Sequence, residues 1–433
     1  MNENSKIFLK KKILIYGLGK TGISIFKFLK NKSDLILFDD NKKLIKNTLI
    51  KKNIKPINII KNYKFDLIII SPGIDKNKCK LSGLLKKNPK LIYTDLDIFY
   101  SFFRNDCITI TGTNGKSTTC KLLYNIFKDQ NYDVRLIGNI GTPVLSIKKV
   151  LPDTIFIIEA SSYQLDYSKI FNSKYSAILN ISPDHIERHG NFENYIEAKF
   201  KLLKKQIRGS KGFINKNDVR IQKKLKKYSY KSKVIHINNK LTKKFLNKIT
   251  NSYFLSNSNQ ENLSFALGII KEFKIKKSNL IKTINKFNGL NYRQQIIYEK
   301  KNLKIINDSK STSYSSSLEM LKIKGRIHWL LGGIPKKEDK ITLSKEYFKN
   351  IRAYVYGKNH FKFTKELKDK IKFNKYKTLK KALNDIFKTV KKDKFVNNTI
   401  LFSPASASFD SFKNFEERGF YFNELIKKYI NEK

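Results

Sequence analysis

Thr111-Gly112-Thr113-Asn114-Gly115-Lys116-Ser117-Thr118 follows an apolar, β-branched run that ends at Ile110 and precedes a stretch with helical patterning to about Phe127. A strand, a glycine turn and then Lys-Ser at the start of a helix make a phosphate cradle. The glycines let backbone N–H groups approach phosphate oxygens, and the helix N-terminus adds a favourable dipole. Lys116 offsets β- and γ-phosphate charge, and Ser117 can ligate Mg²⁺. Gly112, Thr113, Asn114, Gly115, Lys116, Ser117 and Thr118 are therefore the candidate triphosphate-binding residues. Ile110 stands where the usual G-x-x-x-x-G-K-[ST] pattern has its first glycine.

Outward from this loop, short apolar runs alternate with amphipathic helical stretches, the signature of mainly parallel α/β sheets. With 433 residues the chain exceeds what one core can hold. Three blocks separate. The first has strands at Lys12 to Tyr16, Leu35 to Phe38 and Leu67 to Ile70, and fades between Tyr93 and Phe103. The second has strands at Cys107 to Thr111, Val134 to Ile137, Thr154 to Ile158 and Tyr175 to Asn180, and closes with helical stretches from about Asn259 to Phe287. The third has strands at Leu303 to Asn307, Ile327 to Leu331, Arg352 to Tyr356 and Thr399 to Ser403. The expected fold is α/β in three domains: 1–94 Rossmann-like, 95–289 with the P-loop, and 290–433 Rossmann-like. The lysine-rich stretches Lys223 to Lys233 and Lys365 to Lys381 read as solvated helix faces or loops.

Hydrophobic residues make up 40% of the chain and aromatics 12%, enough for packed cores and against a disordered chain. No apolar run reaches the roughly 18 to 20 residues that cross a bilayer, so no membrane insertion is expected and the reading is cytoplasmic. Cys79, Cys107 and Cys120 lack metal-ligand spacing and read as free thiols of a reducing compartment. The formal net charge of +53 would by itself suggest nucleic acid. The excess is mainly lysine, spread through every segment beside abundant Asn, Ile, Phe and Tyr, and no element concentrates it with interleaved aromatics. It reads as compositional drift, with no specific nucleic-acid partner.

A P-loop needs an acid at the end of a neighbouring strand to hold the metal. Glu159 directly follows Thr154-Ile155-Phe156-Ile157-Ile158 and leads into polar Ser161-Ser162-Tyr163-Gln164. Asp184-His185 lies in the loop after the next strand, so Glu159 and His185 are expected to face one site from adjacent strand ends. In the helix predicted from Glu193 to Gln206, Ile196, Lys199, Phe200 and Leu203 fall on one apolar face. Such a lysine ordinarily snorkels to solvent. Desolvated instead, it has a lowered pKa and a nucleophilic neutral amine.

The P-loop, Glu159-Ala160-Ser161-Ser162-Tyr163-Gln164-Leu165, Asn180 through Asp184-His185, and Ala198-Lys199 resemble the central domain of the Mur ligases in order and spacing. The resemblance implies ATP-dependent amide-bond formation with two Mg²⁺ ions, one on Ser117 and Glu159, the other on His185 and a carbamylated Lys199. It makes Lys116, His185 and Lys199 the catalytic residues. Asn307-Asp308-Ser309-Lys310-Ser311-Thr312 and the segment from Ser403 to Gly419 are similar to the members of that family that add D-glutamate to UDP-N-acetylmuramoyl-L-alanine. By that likeness Thr312, Lys336, Ser408 and Phe415 bind D-glutamate, while Asn259, Arg293 and Asp308 meet ATP. The partners implied are small molecules, and a monomer is expected.

Gly17-Leu18-Gly19-Lys20-Thr21-Gly22 after the first strand, with Asp39 ending the second, also matches a dinucleotide fingerprint. On its own this would suggest a nicotinamide dehydrogenase, but such an enzyme needs no second phosphate site downstream. The resemblance assigns Thr21, Asp39, Ser71, Gly73, Asn139, Ser161 and Gln164 to the UDP-linked precursor. Ser258-Asn259 and Tyr292-Arg293-Gln294-Gln295 depart from the family's usual His-Asn and His-Arg-x-Glu.

Overall fold

A computed structural model describes residues 3–45, 48–238, 242, 245–300, 302–318, 320–335, 339–392 and 397–431. The chain forms two compact units, Met1–Ile249 with Glu261–Ile284, and Thr250–Gln260 with Asn285–Lys433.

The first unit holds two parallel sheets. Strands β1 (Lys12–Tyr16), β2 (Asp34–Phe38), β3 (Leu67–Ile70) and β4 (Ile92–Tyr93) pair in the order β2-β1-β3-β4. Strands β5 (Cys107–Thr111), β6 (Val134–Gly138), β7 (Ile155–Glu159), β8 (Tyr175–Ile178), β9 (Lys211–Asn215) and β10 (Lys233–Ile237) pair as β10-β9-β8-β5-β7-β6. Every residue of β5 is buried, as befits a strand covered on both faces. Its neighbours β7 and β8 lie on opposite sides, so its C-terminal end is a topological switch point, where such sheets bind ligands.

The helix Asp95–Phe102 joins the two cores. Its N-terminus carries a capping box between Thr94 and Asp97, and Phe99 meets Phe156 of β7 edge-on at 5.0 Å. One apolar cluster consequently runs from Phe8 and Ile15 through Phe99 to Phe156 and Phe171.

The second unit holds β11 (Gln295–Lys300), β12 (Leu303–Asn307), β13 (Arg326–Gly332), β14 (Ile351–Tyr356), β15 (Lys372–Tyr376) and β16 (Asn398–Phe402), ordered β11-β12-β16-β13-β14-β15. Among the described residues of this unit only β11 runs antiparallel, as a hairpin with β12.

The three expected α/β sheets are present. One reading is corrected: the lysine-rich stretch taken as helix face or loop contains β15, which pairs with β14. An edge strand has one open side, and charged residues there keep it from pairing with another chain. All three cysteines are free and buried. Among the described residues no helix is long and apolar enough to cross a membrane.

Candidate active site

The P-loop is held from two sides. Thr113 donates its backbone N–H to Asn180 O at 2.9 Å, and the Asn180 side chain accepts from Asn114 N at 2.9 Å. Gly115, the N-cap of the helix Lys116–Asp129, has φ +81°, and a Cβ there would fall 2.1 Å from Asn262 Oδ1. Only glycine allows that left-handed turn and that close approach. Asn262 also accepts from Thr119 Oγ1 at 3.3 Å. It lies three residues beyond the predicted Asn259, a helical spacing that could have revealed it. Ser117 and Thr118 are buried at the helix start. The Lys116 ammonium turns back on its own loop, donating to Gly112 O at 2.9 Å and Thr113 O at 2.8 Å.

Glu159 ends β7 and is 1% exposed. Its Oε1 accepts from Asn139 Nδ2 at 2.6 Å, while its buried Oε2 has no hydrogen-bond partner. A buried carboxylate oxygen left open is costly unless something occupies it, and a hard divalent cation is the fitting occupant. Mg²⁺ binds through one or two protein oxygens plus substrate phosphates, so Ser117 and Glu159 suffice as a donor set. No group of three or more His, Cys, Asp or Glu among the described residues forms a preformed metal cage.

Lys199 is 1% exposed, in the helix Phe192–Lys204. Its ammonium donates to Gly112 O at 2.8 Å, the same carbonyl that Lys116 uses, and sits 4.5 Å from the Tyr195 ring centroid. Burial and then the Lys116 charge push its pKa well below that of an ordinary lysine. The sequence-predicted helix face is thus buried with its lysine inside, not snorkelling. His185 adopts φ +54°, 3.4 Å from Asp184 Oδ2 and 5.0 Å from the Tyr163 ring.

In the N-terminal loop, Gly17 has φ +99°, and a Cβ on Gly22 would fall 1.8 Å from Gly17 O. Asp39 Oδ2 accepts from Leu18 N at 2.6 Å and Oδ1 from Asn41 N at 2.7 Å, so this acid shapes the loop itself. Ser71 Oγ donates to Gly17 O at 2.7 Å, Thr21 is half-buried and Gly73 is exposed. Gln164 and Ser161 form a capping box, and Gln164 Nε2 reaches Asp95 Oδ2 at 3.2 Å. Both side chains are engaged inside the protein.

The model of the Mur ligase middle domain matches residues 110–292, and that of the MurD-like N-terminal domain matches residues 11–92. The UDP-N-acetylmuramoylalanine–D-glutamate ligase of Rickettsia prowazekii (strain Madrid E) is 36% identical over 448 residues, covering 98% of this chain and 99% of that one. That of Rickettsia felis is 33% identical, covering 98% of each. The chain belongs to the Mur ligase family. The likeness extends to its MurD-like branch. Among solved structures, the MurF ligase of Thermotoga maritima in complex with ADP superposes with TM-score 0.59 at 14% identity, covering 99% of this chain and 100% of that one. At that identity the superposition speaks for the fold.

The remaining residues predicted from the family likeness lie in the second unit. Asp308 is buried after β12, accepting from Ser403 Oγ at 2.9 Å and Gln294 N at 3.1 Å. Arg293 sits between two residues of positive φ, Tyr292 (+63°) and Gln294 (+49°), in a turn that stores strain. Its guanidinium lies 5.8 Å from the Phe415 ring centroid, and the Lys310 ammonium lies 4.2 Å from it. Asn259 is buried and donates to Tyr253 O at 2.9 Å. Ser408 is buried and Thr312 half-buried. Lys336 lies outside the described residues. Sequence reasoning missed Lys310, and also Arg418, whose fully buried guanidinium links the loops after β12 and β16 to the end of β13.

Burial raises the Asp308 pKa to about 7. An unfolded aspartate titrates near ~3.9. Between these values the folded chain keeps a proton that the unfolded chain releases. The resulting stability is full below about pH 4 and is lost as pH rises through about 7, with a slope of at most about 1.4 kcal/mol per pH unit. Trp329, the single tryptophan, donates to Ser403 O at 2.8 Å, so its fluorescence reports on this sheet. Urea midpoints followed by that signal should fall from pH 5 to pH 7.5 in the parent, with a visibly smaller slope in Asp308→Asn.

Proposed function

We propose that the chain joins D-glutamate to UDP-N-acetylmuramoyl-L-alanine at the expense of ATP, an amide-forming step of peptidoglycan precursor synthesis. The observation that carries this reading is likeness over nearly the full length to ligases of that name, at 36% identity for the R. prowazekii protein. The P-loop and the open carboxylate oxygen of Glu159 support it chemically. The precursor's alanyl carboxylate attacks the γ-phosphorus and ADP leaves. The D-glutamate amine, having lost a proton, then attacks the acyl phosphate and inorganic phosphate leaves.

In this reading the domains are 1–94, 95–289 and 290–433. The backbone of Gly112 to Gly115, with Ser117 and Thr118 at the helix start, cradles the phosphates, and Asn259, Arg293 and Asp308 serve the rest of ATP. Lys116 swings from its loop carbonyls to the transferred phosphate and offsets charge gathering between two anions. Ser117 with Glu159, and His185 with a carbamylated Lys199, would hold Mg²⁺, which when bound supplies the positive charge that draws phosphate and carboxylate together. Thr21, Asp39, Ser71, Gly73, Asn139, Ser161 and Gln164 serve the precursor, Asp39, Ser161 and Gln164 by shaping the backbone around it. Thr312, Lys336, Ser408 and Phe415 receive D-glutamate, a dicarboxylate suited to cations, hydroxyls and an aromatic wall. The enzyme acts as a monomer in the cytoplasm.

Phosphate release measured with each UDP-muramoyl precursor and each candidate amino acid tests the assignment. Turnover should require UDP-N-acetylmuramoyl-L-alanine and D-glutamate together. Preference for L-lysine or diaminopimelate would overturn it. DNA should bind weakly, lose affinity steeply between about 50 and 200 mM salt, and leave turnover unchanged. Tight, sequence-selective binding at physiological salt would instead assign the positive charge a role.

A further inference from the structure

Arg188 is absent from every role assigned above, yet it joins three segments of the candidate site. It lies in the short helix Ile186–His189, directly after His185. Its Nη2 donates to Pro72 O at 2.6 Å and Ile74 O at 2.5 Å, and Nη1 reaches Gly73 O at 3.4 Å. The guanidinium carbon lies 3.9 Å from the Tyr163 ring centroid, in the segment that follows Glu159. Tyr163 in turn stacks on His189 and touches His185. The turn that Arg188 grips follows β3, and Ser71 at its start donates to Gly17 O of the glycine loop. A single planar fork therefore ties the glycine loop and the β3 turn of the first sheet to the His185 loop of the second.

We propose that Arg188 is a positioning residue for the UDP-linked precursor, a role that rests on the functional reading above. The precursor is long and must present its diphosphate and its carboxylate at separate places. If the β3 turn serves one end and the His185 loop the other, the spacing between them has to match the ligand. Arg188 sets that spacing. Its acceptors are backbone carbonyls, so its charge stays on the turn and favours an anion there. Lysine cannot reproduce this, because a point ammonium lacks the rigid fork that spans diverging carbonyls and the flat face that covers Tyr163.

The test compares the parent with Arg188→Met, Arg188→Lys and Tyr163→Leu. The KM for UDP-N-acetylmuramoyl-L-alanine should rise about 10- to 100-fold in Arg188→Met, the kinetic mark of lost binding rather than lost chemistry. It should rise less in Arg188→Lys and in Tyr163→Leu, while the KM for ATP stays within about twofold in all three. A general structural role would shift both KM values or neither. Unchanged precursor KM in folded variants overturns the proposal alone, as does an equal rise in both KM values. If Arg188→Met does not fold, Arg188→Lys and Tyr163→Leu decide the matter by the same split. A parent enzyme that does not turn over this precursor overturns the functional reading and this inference with it.

Discussion

Lys199→Ala is expected to lower kcat by about 10³-fold or more while leaving the unfolding midpoint unchanged or raised. The two halves of that result have separate causes. Lys199 and Lys116 both donate to Gly112 O, at 2.8 and 2.9 Å, so two ammonium groups crowd one carbonyl. Burial and that repulsion favour the neutral amine at Lys199. In the proposed reading this neutral amine adds to CO₂, forming an N–C bond and releasing a proton, and the product is a carboxylate. The side chain then carries an anion in place of a neutral amine, which is the sign that Mg²⁺ and Lys116 need. Alanine removes the anion and with it the charge balance for a transition state between two anions. It also removes a buried charge that costs stability unless paired, and Gly112 O keeps Lys116 as a donor, so the fold loses little. Lys199→Arg should be as inactive as alanine, since guanidinium stays positive. Formate or acetate should restore part of the activity of Lys199→Ala by filling the vacated carboxylate position. The measurements are kcat with and without added formate, and the carbamate resonance of the parent in isotope-labelled bicarbonate. Full activity in Lys199→Ala would sink the idea.

The P-loop and its partners were legible because their signals are local. An apolar run, two glycines and Lys-Ser within a few residues determine a strand, a turn and a helix start. Glu159 could be read from its place at the end of an apolar run, and Lys199 from the spacing of Ile196, Phe200 and Leu203. What escaped is non-local or masked by composition. Arg188 meets Pro72 across 116 residues, and nothing in either segment announces the other. β15 reads KFNKY and shows only two apolar residues, as an open edge permits, so alternation gave no clear strand signal. The spacing of Ser161 and Gln164 is that of a capping box. The family likeness drew attention to their ligand role, whereas in the fold each satisfies the other and the helix start. Asp39 is similar: an acid at a strand end suggests a ribose contact, yet both its oxygens accept backbone N–H groups of adjoining loops.

Arg418→Met is expected to be the most destabilising single change in the second unit. Arg418 is 1% exposed. Its Nε donates to Ser309 Oγ at 3.0 Å, and its Nη2 to Ser309 O at 2.7 Å and Ser406 O at 3.0 Å. Its Nη1 lies 3.4 Å from Gly332 O. Those acceptors sit in the loops after β12 and β16 and at the last residue of β13, so one side chain closes the C-terminal edge of three neighbouring strands. Methionine fills similar volume but donates nothing. Each buried acceptor left unpaired costs about 1–3 kcal/mol. Ser406 Oγ keeps its own bond to Gly332 O, so that carbonyl is only partly orphaned. Loss of the other three sums to roughly 3–9 kcal/mol, offset in part because the cation itself no longer has to be buried. A domain stable by about 5–15 kcal/mol then has little margin left. Trp329 fluorescence isolates the effect, since this lone tryptophan is fully buried in the same sheet. Its urea transition should move to clearly lower concentration in Arg418→Met, while the far-UV signal retains a later component from the sheets of the first unit. The loops at stake carry Ser408 and precede Phe415, so D-glutamate KM should rise more than ATP KM in any folded fraction. A Trp329 midpoint within experimental error of the parent would show that the loops hold their positions without the guanidinium.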